Sequence, residues 1–153
     1  MDCVIFGFDG IQLYALLIDR ENQLKNVVSE FALPGNLILD DENLDMAAER
    51  VLKELTGLSV IYLEQFGAFG DPDRIKKKED QPWLKAVRSV PNARVITVGY
   101  YSLIRMSDYE LNPSSFAKNA KWMPLNSIKK LPFDHLKILN SSIEYLRSNT
   151  KIK

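Results

Sequence analysis

Several side chains in this chain are of types that handle phosphates, sugars and cations. Arg74 and Arg94 are candidate phosphate ligands, because a guanidinium fork meets two phosphate oxygens at once. Asp71 and Asp73 can accept hydroxyls of a ribose or another sugar. Glu54 is a carboxylate at the edge of an apolar helix face, where with waters it could hold Mg²⁺ only weakly unless bound phosphates add ligands. Each has a plainer reading beside it. Glu54 can be a solvated helix residue paired with a Lys or Arg. Asp71-Pro72-Asp73 can be a simple turn, with both arginines as surface charges. Asp40, Asp41 and Glu42 suit a helix N-terminus whatever else they do.

The elements that must position these residues are legible from patterning. The opening CVIFGFDGIQLYALLID reads as two strands around Asp9-Gly10, apolar on successive residues, so both faces of each are expected to be covered. Phe31-Ala32-Leu33 makes a short strand before the Pro34-Gly35 turn. Residues 43–55 form a helix capped by Asn43, with Gly57 in the left-handed position past its end. At about 100° per residue, Leu44, Ala47, Ala48, Val51, Leu52 and Leu55 share an apolar arc of roughly 140°, opposite Asp45, Glu49 and Lys53. Strands follow at 59–66 and 94–104, and a short edge strand at 122–124. Residues 134–147 form a last helix, capped by Asp134, with Leu136, Leu139, Ile143 and Leu146 on one stripe. Strands interleaved with helices predict an α/β sandwich with a mixed sheet.

The long polar connection 70–92 is a functional loop or an insertion. Lys76-Lys77-Lys78 runs straight into Glu79-Asp80, which favours a self-neutralising loop over a nucleic-acid patch. Trp83 either stacks on a ligand or pins the loop, and pinning is favoured. His135 lacks nearby Cys or His partners and is read as structural, and Cys3 as a buried inert thiol.

Length and composition narrow the class. The 153 residues, 46% hydrophobic and 26% charged, suit one globular domain with a full core and exclude disordered and fibrous architectures. One cysteine makes no disulfide framework. Twenty basic against twenty acidic side chains give a formal charge of +0, so no global field draws the chain to nucleic acid or an anionic membrane. With no bilayer-length apolar run and no basic start, a cytoplasmic location is expected.

The stretch LPGNLILDDENLDMAAERVLKELTGL resembles the Nudix box, G-x5-E-x7-R-E-U-x-E-E-x-G-U, where U is a bulky aliphatic residue. Anchored on Gly57-Leu58, it aligns without a gap: Glu42, Arg50, Leu52 and Glu54 match their positions. Asn36 stands for the opening Gly, Val51 for the Glu after the Arg, and Leu55 for the second Glu of the pair. Phe69-Gly70-Asp71-Pro72-Asp73-Arg74, the strand around Ala93-Arg94-Val95, and the ending Trp122-Met123-Pro124 with Leu131-Pro132-Phe133-Asp134-His135 resemble the ADP-ribose pyrophosphatase branch and the Nudix-related transcriptional regulators. Here 75–91 intervenes as a longer insertion.

That resemblance implies a Nudix-type α/β/α sandwich over 1–153, the N-terminal effector domain of a longer regulator whose winged-helix domain lies outside this chain. It implies a homodimer that binds ADP-ribose, a related nucleotide diphosphate sugar or a sugar, through Arg74, Arg94, Asp71, Asp73 and Phe69. The chain alone is not expected to bind DNA. Family members cleave diphosphates linked to a further group, with Mg²⁺ or Mn²⁺ held by helix carboxylates. With Val51 and Leu55 in two of three carboxylate positions, no catalytic residue is expected beyond the remnants Glu54, Arg50 and Glu42, and no cofactor is required. The competing expectation is a weak hydrolase with substitute ligands to Mg²⁺ or Mn²⁺.

Overall fold

The computed structural model describes residues 1–20, 30–81, 84–85, 88–89, 93–112 and 119–151. Two strands, β1 (Asp2–Phe8) and β2 (Leu13–Arg20), pair antiparallel with Phe6 opposite Ala15. Their loop is fixed by Asp9, whose carboxylate accepts the N–H groups of Ile11 and Gln12 at 2.8 Å each, with Gly10 at a φ of 99°. β1 also runs parallel to β5 (Thr97–Arg105), from Asp2 opposite Gly99 to Phe8 opposite Arg105. β4 (Glu64–Phe69) lies antiparallel on β5, and β3 (Glu30–Ala32) and β6 (Ala120–Pro124) lie antiparallel on β2. The sheet order is β3-β2-β1-β5-β4 with β6 on β2. The mixed sheet expected from the opening hairpin is present.

Successive apolar residues in β1 and β2 are explained by a layer on each face. Because side chains alternate along a strand, Cys3, Ile5, Leu16 and Ile18 meet α1 (Leu44–Thr56), and Val4, Phe6, Ala15 and Leu17 meet the α2 side (His135–Lys151). The expected apolar arc of α1 supplies Ala47, Ala48, Val51, Leu52 and Leu55, all buried, whereas Leu44 stays on the surface. Asn43 accepts from the Met46 N–H at 2.8 Å, and Gly57, at φ 81°, donates to the Lys53 carbonyl. No described helix is long and apolar enough to cross a membrane.

Several boundaries differ from expectation. The strand placed at 59–66 begins at Glu64, because Val60 takes a φ of 57° and stands 98% exposed, a conformation that no sheet ladder accommodates. β5 begins at Thr97, three residues later than predicted, with Ile96 turned to the surface. The last helix runs His135–Lys151. Asp134 does not cap it through its side chain, since both carboxylate oxygens accept from Arg74 at 3.0 Å. Trp83 lies outside the described residues.

Candidate ligand-binding site

The loop before α1 is stapled to the helix by Arg50. Its Nε donates to Glu42 Oε2 at 2.8 Å and its Nη2 to Glu42 Oε1 at 2.6 Å, a two-point pair. Nη1 donates to Glu54 Oε2 at 3.2 Å, and Nη2 also to the Leu37 carbonyl at 2.9 Å. Glu42 accepts the Leu39 N–H at 2.8 Å as well. The Arg50 hydrogen bonds, helped by the Leu39 N–H, hold the Glu42 carboxyl down at about 2. Both matched carboxylates of the box thus share one guanidinium.

A divalent cation does not suit this donor set. Val51 and Leu55 are wholly buried in the core under the sheet, so the position one turn before Glu54 and the one next to it offer carbon where oxygen is needed. Among the described residues, no group of three or more His, Cys, Asp or Glu side chains is placed to hold a metal ion.

A cavity of about 620 Å³ opens on the far side of the same loop, within the size range of small-ligand sites. Its wall takes Leu37 and Ile38 from the loop, Arg74 and Ile75 after β4, Leu84 and Arg88 from the long connection, and Arg94 with Val95 ahead of β5. Among the described residues, three arginines line it against one carboxylate, Asp2. Gly35 lets the loop approach: a Cβ there would sit 2.7 Å from the Met1 carbonyl oxygen.

Part of the wall is a buried polar network. Asp2 accepts from the Thr97 hydroxyl at 2.6 Å and faces His135 Nε2 at 3.3 Å and Arg74 Nη2 at 3.8 Å. The Leu33 N–H donates to His135 Nδ1 at 3.2 Å, which directs the Nε2 proton toward Asp2. Burial by itself would raise the Asp2 pKa, yet His135, the chain amine and Thr97 together hold it well below the usual carboxylate range. His135, read from the sequence as structural, is buried and also lines the cavity. Cys3 is fully buried, and burial pushes its thiol pKa up, as expected of an inert thiol.

The predicted ligand residues divide into two groups. Arg74 and Arg94 both reach the cavity, Arg74 buried and Arg94 exposed with Nη2 donating to the Gly70 carbonyl at 2.7 Å. Asp71 and Asp73 lie on the surface outside its wall, paired with Lys137 at 2.8 Å and Lys76 at 3.5 Å. Phe69 packs edge-on against Phe66, with ring centroids 5.9 Å apart. Arg88 and Asp2 escaped the sequence reading. An Asp heading an otherwise apolar strand was a signal for the second; the first shares the spacing i, i+4 with Leu84 inside the long connection.

No family model matches the chain. It is 31% identical over 155 residues to the "ADPR responsive transcriptional repressor NtrR" of Acinetobacter baylyi, an alignment spanning 99% of this chain and 55% of that protein. It is 32% identical over 133 residues to an ADP-ribose pyrophosphatase of Methanocaldococcus jannaschii, covering 86% of this chain and 65% of that one. The chain thus spans less than two thirds of either relative. The Nudix domain of Shewanella oneidensis NrtR, solved in complex with ADP ribose, superposes with a TM-score of 0.75 at 27% identity, covering 95% of this chain and 85% of that one. With its mixed six-stranded sheet between two helical layers, the chain has the Nudix fold and is ADP-ribose pyrophosphatase-like.

Proposed function

We propose that this chain is a sensing domain that binds a nucleotide diphosphate sugar of the ADP-ribose type in the arginine-lined cavity and does not cleave it. The observation that carries this reading is the burial of Val51 and Leu55 beside the Arg50 pair with Glu42 and Glu54. Water activation needs clustered, available carboxylates, and here the two that remain are both tied to one guanidinium. The cavity, by contrast, keeps a positive wall suited to a diphosphate. Similarity to a repressor described as ADPR responsive, and to a Nudix domain holding ADP ribose, supports the choice of ligand. In this reading the domain works as a homodimer within a transcriptional regulator, and operator binding belongs to other residues than these.

Calorimetric titration with ADP-ribose, paired with a thermal-shift series, tests the proposal. Binding to the folded state alone raises stability by about 2.7 kcal/mol at a hundredfold excess over Kd. No shift with ADP-ribose and a clear one with a free pentose would reassign the effector to sugars. The second reading, a slow hydrolase, is favoured by the likeness to the archaeal pyrophosphatase. Turnover abolished in Glu54→Gln would establish it.

A further inference from the structure

The three arginines of the cavity differ in how they are already engaged. Arg74 has its Nε and Nη2 on the Asp134 carboxylate, both at 3.0 Å, with Asp2 beyond at 3.8 Å. Arg94 has Nη2 on the Gly70 carbonyl. Arg88 is unlike both: its Nη1 is buried and, among the described residues, has no hydrogen-bond partner. Its backbone N–H donates to the Leu84 carbonyl at 2.9 Å, which ties the two residues together. Leu84, 3% exposed, is anchored in the cavity wall and brings Arg88 to the same wall.

A buried guanidinium nitrogen without an acceptor is costly in the ligand-free protein, and the same atom is preorganised for an anion that arrives from solvent. Burial also lowers the Arg88 pKa, with Asp2 opposing that shift and Arg74 adding to it. Among the described residues the wall carries Arg74, Arg88 and Arg94 against Asp2, and Arg88 Nη1 is its buried donor without a partner. An uncharged sugar would leave that donor poorly matched, whereas a diphosphate brings several strong acceptor oxygens.

We propose that Arg88, supplied by the insertion, is the residue that reads the diphosphate of the ligand, and that Arg74 is a structural pin held by Asp134 and Asp2. This rests on the cavity being the ligand site. Specificity then lies at Arg88, which the connection between β4 and β5 holds at the wall through Leu84.

The test is calorimetry of wild type and Arg88→Gln with ADP-ribose and, separately, inorganic pyrophosphate, at two salt concentrations. Arg88→Gln is expected to bind both about 10- to 100-fold more weakly, with a shallower salt dependence, while its ligand-free melting temperature equals or exceeds that of wild type. Wild-type affinity in Arg88→Gln overturns the inference and leaves the proposed function standing. Pyrophosphate binding that depends on Arg88, without ADP-ribose binding, keeps the inference and overturns the choice of ligand. Binding of neither by wild type overturns both. Should Arg88→Gln fail to fold, Arg88→Lys gives the same comparison: it keeps the charge but loses the fork, so weakened binding is expected and unchanged binding contradicts the inference.

Discussion

Arg50 stands between Glu42 and Glu54, 2.6 Å from one carboxylate and 3.2 Å from the other, and this pairing converts two residues of a metal-binding motif into a loop clamp. The same guanidinium reaches the Leu37 carbonyl, and Leu37 lines the cavity on the other side of the loop. One residue thus ties the remnant of the box to the shape of the pocket. Arg50→Ala is expected to lower the melting temperature and weaken ADP-ribose binding together. A variant that melts earlier yet binds as wild type would separate the clamp from the pocket.

Restoring the missing carboxylates is expected to unfold the protein rather than revive hydrolysis. Val51 and Leu55 are both wholly buried, so Val51→Glu or Leu55→Glu places a carboxyl in the core without a partner. A loss of about 3–5 kcal/mol per substitution is expected in urea denaturation. A stable Val51→Glu, Leu55→Glu double variant that cleaves ADP-ribose would contradict the packing described here.

The Arg74–Asp134 pair ties the connection after β4 to the start of α2, and both side chains are largely buried. Asp134→Ala leaves the guanidinium with the Val95 carbonyl at 3.5 Å and the more distant Asp2, and a destabilisation of about 3–5 kcal/mol is expected. A loss below about 1 kcal/mol would show that Asp2 and the Val95 carbonyl suffice to hold Arg74.

Much of this arrangement was readable in the sequence, and the part that was not has a common cause. Local pattern revealed both caps of α1, the hairpin at Asp9-Gly10 and the apolar arc, because each depends on residues a few positions apart. Val60 read as strand because a Val between apolar neighbours fits a strand, and its positive φ is set by tertiary context. Asp134 looked like a cap because its true partner, Arg74, is 60 residues away. Arg88 offered little beyond its i, i+4 spacing from Leu84 for the same reason: its setting is made by Asp2, Arg74 and a cavity wall that only the fold assembles.

Acid should act through Glu42 and Asp2. Both pKa values are depressed on folding, from ordinary values of 4.5 and 3.8, so their contributions are complete above those values and fade as pH falls toward the folded ones. Melting temperature should therefore drop from about pH 5 downward, and Glu42→Gln should show a shallower acid limb than wild type. Parallel curves for the two proteins would show that the Arg50 pair does not set the acid response.

Gly57 ends α1 at a φ of 81°, and a Cβ there would lie 2.5 Å from the backbone nitrogen and oxygen of Asn112. Gly57→Ala meets both backbone strain and a peptide that cannot swing aside, for an expected loss of about 1–3 kcal/mol. Chemical denaturation checks it, and a neutral result would mean that the 112 segment yields.

Binding without cleavage can be watched in one tube. Phosphorus NMR of ADP-ribose with an equimolar amount of the protein and Mg²⁺ should show the two diphosphate resonances shifted or broadened and still present after prolonged incubation. Growth of phosphomonoester signals from AMP and ribose 5-phosphate, at a rate that follows protein concentration, would contradict the account.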